Sequence, residues 1–388
     1  MDKREICSGV YWLGAIDWER QLFDALVPLP EGTSYNAYLI KGGSKTALLD
    51  TVEPDMVDTL LHQLRDVPAV DYVIVHHAEQ DHSGSLPTIL EKYPHAQVIT
   101  SAKCLPLLQD MFSLEKDRCL IVKDGDTLDL GGRTLEFMAM PWVHWPETMV
   151  SYLREDHILF TCDFFGSHLA TSDLFAHDKA RVYDAAKRYY AQIMMPFRTH
   201  IAKHLERLVP MDVRVICPSH GPVFDDPPFI MEAYRDWVNA PPQNKVVIPY
   251  VSMHHSTKLM VDMLVGELAA RGVSVQPFEM TVTDIGRLAA ALVDASTVVM
   301  ATPTVLNGPH PNIAYAAFLM NLLKPKTKYL SVIGSLGWGG KVVEQLSGIL
   351  TNLKLELLDP VLVKGVPAEK DRAALAALAQ TIAHKHSL

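Results

Sequence analysis

The most constraining feature of the sequence is a dense run of metal-competent side chains directly after a short apolar segment. Residues 72–75, Y-V-I-V, are typical of a buried β-strand, and residues 76–84 that follow are H-H-A-E-Q-D-H-S-G. In an irregular turn leaving a strand, the backbone is free to aim side chains at one end of a sheet. Four side chains of this run are therefore candidate metal ligands: His77, Glu79, Asp81 and His82. Consecutive residues of an extended strand face opposite ways, so we expect His76 to point elsewhere.

Three further candidates lie at the ends of other predicted strands. They are His144 in P-W-V-H-W-P, Asp163 directly after T-C, and His220 in P-S-H-G. Taken singly, each is more often an ordinary hydrogen-bonded loop residue, so the prediction depends on their joint placement. Seven ligands are too many for one ion and suit two, and Asp163 is the natural bridge because a carboxylate has two oxygens to share.

The spacing of apolar residues changes along the chain, which indicates two domains. At 388 residues the chain exceeds the usual size of one core. Short strands dominate the first 165 residues, and helical spacing appears at residues 178–208. The proline-bearing stretch 240–244, A-P-P-Q-N, predicts a linker. We therefore place a first domain at residues 1–240 and a second at 245–388.

The second domain has the pattern of a parallel sheet wound on both faces. Apolar, β-branched segments at 246–251, 297–301 and 328–333 alternate with helix-length segments. In such sheets ligands bind beyond the carboxyl ends of the strands. The loop S-M-H-H-S-T at 252–257 leads into a predicted helix, which suits an anion but equally an ordinary helix cap.

Two more loops would meet this one at the same edge, A-T-P-T-V-L-N-G from residue 301 and G-S-L-G-W-G-G from residue 334. Glycines let a backbone approach a ring system, and Trp338 offers an aromatic face, although it could simply be a packing residue. The predicted cofactor contacts are Ser252, Met253, His255, Ser256, Thr257, Thr302, Pro303, Thr304, Asn307, Gly334, Ser335, Leu336, Gly337, Trp338 and Gly339.

The metal motifs resemble those of the metallo-β-lactamase superfamily, whose hydrolases carry H-x-H-x-D-H after the corresponding strand. Here Glu79 replaces the second histidine, and three carboxylates with imidazoles favour iron over zinc. With this substitution, nearly the whole chain resembles the flavodiiron proteins. The resemblance implies an α+β metallo-β-lactamase-like αββα sandwich, followed by an α/β flavodoxin-like doubly wound parallel sheet.

The resemblance also implies the ligand sets and the cofactors. One iron ion would take His77, Glu79 and His144, the other Asp81, His82 and His220, with Asp163 between them. Whether His82 binds iron in every state stays open. The loop at 252–257 resembles the flavodoxin phosphate loop for FMN, except that His255 stands where many flavodoxins have a small residue.

As a member of that family, the chain is expected to be an oxidoreductase that reduces dioxygen to water, nitric oxide to nitrous oxide, or both. FMN would relay electrons from an external donor such as rubredoxin or a reduced deazaflavin coenzyme. The subunits are expected to pair head to tail as a homodimer or a dimer of dimers. The preferred gas, the donor and the choice between dimer and tetramer stay open.

Two other functions compete with this prediction. One is a zinc-dependent hydrolase of the metallo-β-lactamase fold with an accessory flavodoxin-like module, which the identity of the bound metal would distinguish. The other is an electron carrier with a degenerate metal domain, which is disfavoured because no ligand position is missing.

Charge and composition exclude several partners. The formal net charge of −10 disfavours nucleic acid and anionic membranes, because both would repel such a surface. The five cysteines include no C-x-x-C pair, which argues against a zinc ribbon or a rubredoxin-type iron centre. With no signal peptide at Met1 and no apolar run of about 18 residues, a cytoplasmic location is expected.

Overall fold

In the computed structural model, which describes residues 1–387, the chain divides into two units. The first comprises Met1–Tyr190 and Phe197–Val238, and the second comprises Ala191–Pro196 and the chain from Asn239 onward. No helix within residues 1–387 is long and apolar enough to cross a membrane.

The first unit is built mainly from short strands. In chain order these are β1 (Arg4–Cys7), β2 (Val10–Trp12), β3 (Ala15–Asp17), β4 (Leu22–Phe23), β5 (Val27–Pro28), β6 (Thr33–Tyr35), β7 (Tyr38–Lys41), β8 (Thr46–Leu49), β9 (Tyr72–Ile74), β10 (Gln97–Ser101), β11 (Cys119–Val122), β12 (Thr127–Asp129), β13 (Thr134–Ala139), β14 (Met149–Leu153), β15 (Ile158–Cys162) and β16 (Val215–Pro218). Its α-helices are α1 (Val57–Gln63), α2 (Gln80–Ser83), α3 (Leu86–Lys92), α4 (Cys104–Met111), α5 (Lys179–Tyr189), α6 (Arg198–Leu208) and α7 (Pro227–Asn239).

Two sheets face each other in this unit. The larger has the order β1-β2-β7-β8-β9-β10-β11, and the smaller has the order β12-β13-β14-β15-β16. Strand alternation sorts the side chains of the larger sheet into two cores. Ile40, Leu49 and Ile74 pack against Phe137 and its neighbours on the smaller sheet.

The opposite face of the larger sheet is covered by helices. Leu48 and Val73 pack there with Leu60 of α1, Ile89 of α3 and Leu108 of α4. The predicted sandwich of sheets with helices outside is therefore present. The helical pattern predicted at 178–208 is interrupted between α5 and α6 by a π-helical turn (Tyr190–Met194) and a 3-10 turn (Met195–Phe197), where Pro196 cannot donate a helical hydrogen bond.

The second unit alternates strands and helices. Its elements are β17 (Gln243–Tyr250), α8 (Ser256–Ala269), β18 (Ser274–Glu279), α9 (Ile285–Leu292), β19 (Ala295–Ala301), β20 (Thr304–Val305), β21 (Gly308–Pro309), α10 (Pro311–Leu323), β22 (Tyr329–Leu336), α11 (Val342–Ile349), β23 (Glu356–Leu357), β24 (Val361–Lys364) and α12 (Glu369–His386). The main sheet has the order β18-β17-β19-β22-β23, with β24 also on β22, and these neighbours run parallel.

Helices cover both faces of this parallel sheet. Val247 and Val298 pack on the face with α9, α10 and α11, whereas Val246 and Val299 pack on the face with α8 and α12. This is the doubly wound arrangement that the sequence predicted. The linker predicted at 240–244 overlaps a strand, because β17 already begins at Gln243. The backbone N–H of Gln243 donates to the backbone oxygen of Asp294. The strand predicted at 328–333 extends through Leu336, where it pairs with β24.

Candidate metal centre

One edge of the first unit collects side chains from the ends of several strands. His77 and Glu79 follow β9, and the short helix α2 carries Asp81 and His82. The other three residues lie in the segments after β13, β15 and β16: His144, Asp163 and His220. Carboxyl ends of neighbouring strands meet at one edge of a sheet, which is why residues so distant in sequence converge here.

The first ligand group consists of His77, Glu79 and His144. Glu79 Oε2 lies 3.0 Å from His77 Nε2 and 3.1 Å from His144 Nε2. Asp163 Oδ2 lies 3.5 Å from the former nitrogen and 3.6 Å from the latter. These atoms lie within 4.8 Å of one another, so one small ion could contact all of them.

The second ligand group consists of Asp81, His82 and His220. His220 Nε2 lies 3.1 Å from Asp81 Oδ2, and His82 Nε2 lies 3.4 Å from Asp81 Oδ1. Asp163 Oδ1 lies 3.0 Å from His82 Nε2 and 3.4 Å from His220 Nε2. One Asp163 oxygen therefore faces each group, which is the geometry of a carboxylate bridging two ions.

The electrostatics of the cluster favour cations. Burial lowers the pKa of His220, but the carboxylates of Asp163 and Asp81 outweigh it and raise that pKa to about 10. Burial raises the pKa of Asp163, but the charge on His82 and hydrogen bonds hold it well below its usual range. Carboxylates so strongly ionised in a buried site need positive charge beside them.

Unsatisfied atoms test whether metal ions fit this site. Among the described residues, both carboxylate oxygens of Asp81 and Oδ2 of Asp163 are buried and accept no hydrogen bond of good geometry. Buried carboxylate oxygens seldom go without partners unless an ion or water supplies them. Three carboxylates and four imidazoles match the donor set of a pair of iron ions, and the two groups provide a place for each.

A cavity of about 440 Å³ opens beside Glu79 and Asp81. Burial and the nearby charge of Asp81 raise the pKa of Glu53 in its wall, which reflects the negative potential of this entrance. The remaining lining residues are Arg20, Phe23, Asp24, Gln80, Met111 and Trp145. A small molecule could reach both ligand groups through this opening.

Several residues that support the cluster were not predicted from the sequence. Glu147 Oε1 accepts from His77 Nδ1 at 2.7 Å, and Tyr189 donates its hydroxyl to Asp163 Oδ1 at 2.9 Å. The backbone oxygen of Ser34 accepts from His220 Nδ1 at 2.7 Å. Of these three residues, only Glu147 could have been suspected from the sequence, because it lies three residues after His144 in the same loop.

The non-ligand histidines divide into buried and exposed groups. His76 lies away from the cluster, with Nδ1 2.7 Å from Asp50 and Nε2 2.8 Å from Ser151. His168 is buried beside His220, and burial holds its pKa well below the usual range, so it stays neutral. Buried His204 donates from Nε2 to the backbone oxygen of Pro141. Three more are half-buried or exposed: His95, His177 and His200.

The second unit has a cleft of about 180 Å³ at the carboxyl ends of its strands. It is lined by Ser252, Met253, His254, Ser256, Thr257, Pro303, Thr304, Ser335, Leu336, Gly337 and Gly365. The loop after β17 leads to the N-terminus of α8, whose N-cap residue His255 makes no capping hydrogen bond through its side chain. Free N–H groups at such a helix end bind phosphate well.

Not every predicted cofactor contact lines this cleft. The predicted residues absent from its wall are His255, Thr302, Asn307, Gly334, Trp338 and Gly339. His255 takes a left-handed φ of 65° at the entry to α8, and His254 lines the cleft in its place. The Thr302 hydroxyl is already engaged, because it accepts from His310 N and donates to the Pro303 oxygen. A Cβ on Gly334 would lie 1.9 Å from the Thr302 oxygen, so this glycine allows strand β22 to approach the segment after β19.

Comparison with known proteins shows the family to which the chain belongs. Residues 33–221 match the ODP family beta lactamase. A nitric oxide reductase of Moorella thermoacetica is 36% identical over 362 residues, which cover 91% of this chain and 90% of that protein. The solved rubredoxin oxygen:oxidoreductase of Desulfovibrio gigas has a TM-score of 0.95 at 33% identity, covering 100% of this chain and 99% of that one. The flavodiiron protein of Giardia intestinalis has a TM-score of 0.90 at 28% identity, covering 100% and 98%.

The chain belongs to the flavodiiron protein family. The predicted resemblance and the predicted fold, a metallo-β-lactamase-like sandwich followed by a flavodoxin-like sheet, are both confirmed. The assignment of individual ligands and of FMN contacts in this flavodiiron protein stays a prediction, which the geometry above supports by bringing the seven proposed metal ligands together.

Proposed function

We propose that this flavodiiron protein is an oxidoreductase that reduces dioxygen to water, or nitric oxide to nitrous oxide, at a pair of iron ions served by FMN. The observation that carries the proposal is the bridging position of Asp163, with one oxygen on each of two ligand groups. Glu79 in the first group replaces the histidine of related zinc hydrolases and adds the third carboxylate, which favours iron.

The electron count suits both reactions. Dioxygen takes up four electrons and four protons to give two waters, and two nitric oxide molecules take up two of each to give nitrous oxide and water. A pair of ferrous ions and one reduced flavin together hold four electrons. The same cofactors can therefore support either reaction, and the ligand set does not select between the gases.

The residues of the chain hold the site rigid and control its access. Tyr189 and Ser34 fix the orientation of Asp163 and His220 through hydrogen bonds. The cavity beside Glu79 admits small molecules, while Phe23 and Trp145 in its wall present apolar surface that suits an uncharged gas.

An exposed apolar rim at the flavin cleft supports the proposed dimer. Met253, Val282, Leu306, Trp338 and Val366 all follow strand ends on that edge, and Leu306 is 98% and Trp338 80% exposed. Apolar residues clustered at one exposed edge are typical of a surface that another protein covers. We propose a head-to-tail homodimer, or a dimer of such dimers, in which this rim lies against the metal site of a second copy.

The proposed electron donor is an external carrier, such as rubredoxin or a reduced deazaflavin coenzyme. The similar protein of Desulfovibrio gigas is described as a rubredoxin oxygen:oxidoreductase, which supports the first choice. A reducing compartment such as the cytoplasm is the proposed location, because the five cysteines are all free.

The decisive experiment measures consumption of both gases side by side on iron-replete, FMN-loaded protein that has been reduced anaerobically. We expect consumption of dioxygen, nitric oxide or both, with water or nitrous oxide as product and little hydrogen peroxide. Zinc-loaded protein is the matched control and should be inactive. A colourless zinc protein that hydrolyses ester or amide substrates, with no gas reduction after iron loading, would overturn the proposal.

The dimer proposal needs its own measurement. Analytical ultracentrifugation combined with activity at a range of protein concentrations should show activity only where the dimer is populated. A monomer with full activity from a reduced donor would contradict the cross-subunit relay.

A further inference from the structure

Two consecutive histidines are each held by a buried carboxylate, but only one of them faces the metal site. His77 Nδ1 lies 2.7 Å from Glu147 Oε1, and the backbone N–H of Ala78 donates to the same oxygen at 3.1 Å. His76 Nδ1 lies 2.7 Å from Asp50 Oδ2, and its backbone N–H donates to Asp50 Oδ1 at 2.9 Å. The two arrangements therefore differ chiefly in what the far nitrogen of each imidazole meets.

The far nitrogens have different partners. His77 Nε2 lies 3.0 Å from Glu79 and 3.5 Å from Asp163, within the first ligand group. His76 Nε2 instead lies 2.8 Å from the Ser151 hydroxyl, in the packing between the two sheets. Asp50 therefore supports the fold, whereas Glu147 acts on a residue that points at a metal ion.

The second ligand group lacks an equivalent of Glu147. His220 Nδ1 donates to the neutral backbone oxygen of Ser34, and His82 Nδ1 is buried without a hydrogen-bond partner in the described chain. A carboxylate accepting from an imidazole polarises the ring more strongly than a neutral carbonyl does. It fixes the tautomer and makes the opposite nitrogen a better donor to a metal.

Glu147 is held firmly enough to have this effect. Its side chain is buried, and the Ser101 hydroxyl donates to its backbone oxygen at 3.0 Å. Trp145 packs edge-on against the His77 ring, with centroids 4.9 Å apart, so the imidazole is confined on a second side. The loop after β13 thus provides both a ligand, His144, and the support for another.

We propose that Glu147 is a positioning residue that makes the metal position of His77, Glu79 and His144 tighter-binding and more electron-rich than that of Asp81, His82 and His220. The proposal rests on the metal pair of the proposed function. It concerns the inequality of the two positions, not the reaction that they support.

The test is anaerobic titration of metal-free protein with ferrous ions in competition with a chelator. Wild-type protein should bind two ions in two resolved steps. Glu147→Gln keeps the size of the side chain and removes its charge, so we expect the tighter step to weaken by about 10- to 100-fold, with the other step little changed. The midpoint potential of the metal centre, measured by redox titration, should rise in the same variant because the centre loses electron donation.

Asp50→Asn is the matched control. It removes the charge of an equally buried carboxylate from the neighbouring histidine, so it should lower the melting temperature of the metal-free protein without weakening one binding step selectively. Glu147→Asp keeps the charge on a side chain that is one methylene shorter. The tighter binding step should therefore weaken less than it does in Glu147→Gln. Melting temperatures and far-ultraviolet circular dichroism establish that each variant is folded.

Three outcomes would overturn the inference. These are equal weakening of both steps in Glu147→Gln, the same selective loss in Asp50→Asn, and an unchanged first step in a folded Glu147 variant. Should Glu147→Gln not fold, Glu147→Asp is expected to weaken the same single step, and an unchanged step overturns the inference. Wild-type protein that binds two irons but reduces neither gas would refute the proposed function alone.

Discussion

In the metal cluster most polar side chains are buried and held by another group, whereas the flavin cleft is lined by loops whose side chains make few contacts. Asp163 and His77 are each fixed by several neighbours. In the cleft, the Thr257 Oγ1 of α8 lies 3.4 Å from the Ser335 Oγ near the end of β22, a long hydrogen bond. Metal ions require donors that are positioned in advance, whereas a large flavin brings enough surface to order loops around itself.

The strongest test of this contrast is Glu79→His in the metal cluster. The change removes one of three carboxylates and recreates the histidine of the related zinc hydrolases, so metal preference should move from iron toward zinc. Loss of a residue that hydrogen-bonds to a metal ligand lowers metal affinity or activity by ~10- to 100-fold. Loss of the ligand itself should lower them further, so gas reduction should be abolished. Elemental analysis and gas-consumption assays measure both effects.

FMN content is the control for that variant, because Glu79 belongs to the first unit. We expect Glu79→His protein to bind FMN as wild type does. Retained oxidase activity would count against the assignment of Glu79 as a ligand.

The next test concerns the backbone of the flavin cleft. In Gly334→Ala the new Cβ would meet the Thr302 backbone oxygen at 1.9 Å, so strand β22 and the segment directly after β19 must separate. Overpacking of this kind costs about 1–3 kcal/mol, so the second unit should unfold at lower denaturant and FMN should be lost. Denaturant titration monitored by flavin fluorescence measures the change.

Gly348→Ala in α11 is the matched control, since this glycine is exposed and its Cβ would have no neighbour within 4 Å. It should bind FMN normally. Iron content should be unchanged in both variants, because the proposed metal ligands belong to the first unit, and iron loss from Gly334→Ala would contradict this expectation.

Metal uptake should depend on pH, whereas FMN binding should not. The pKa of His220 is raised to about 10, and those of His77 and His82 are also raised, because nearby carboxylates outweigh burial. His77 and His220 are therefore protonated at neutral pH in the metal-free protein and must lose protons to bind metal. The apparent affinity for ferrous ions should rise with pH from about 6.5 toward 10, by ~10-fold per pH unit for each proton displaced.

Calorimetry in buffers of different ionisation enthalpy counts the protons released on binding. FMN binding, which involves none of these imidazoles, should show no such release. The raised histidine pKa values also affect the stability of the metal-free protein. A histidine whose pKa is raised by folding stabilises the folded state fully below its unfolded pKa of about 6.5, and this stabilisation is lost as pH rises through the folded pKa. Metal affinity independent of pH would contradict the electrostatic account of the cluster.

The smallest expected effect belongs to Ser256→Ala at the start of α8. Ser256 lines the cleft, and we expect its hydroxyl to donate to the FMN phosphate. A hydrogen bond to a charged group contributes about 1.5–3 kcal/mol, but neighbouring donors partly replace it, so affinity should fall by about fivefold. Fluorescence titration with FMN measures this, with Ser347→Ala on the exposed side of α11 as the control.

The proposed metal ligands are easier to recognise in the sequence than the residues that hydrogen-bond to them. Four of them occur within six residues after one strand, a local pattern that needs no knowledge of packing. His144, Asp163 and His220 could be proposed because strand ends converge at a sheet edge. Glu147, Tyr189 and Ser34 reach the cluster through the packing of loops and helices, and nothing in their local sequence specifies which histidine or carboxylate they meet.

The structure has a cleft at the predicted edge of the sheet, and its wall includes some but not all of the predicted FMN contacts. The winding of parallel strands determines where the cleft lies. Which side chains face it depends on loop backbone: a left-handed residue at His255 leaves His254 in the cleft wall, and the hydroxyl of Thr302 is used within its own loop. Sequence pattern does not specify such local turns.

Anomalous diffraction at the iron edge from crystals of iron-loaded protein would locate the metal ions. Two peaks about 3.5–4 Å apart are expected. One should lie among His77, Glu79 and His144, and the other among Asp81, His82 and His220, with Asp163 touching both. A single peak, or peaks without Asp163 between them, would contradict the proposed metal site.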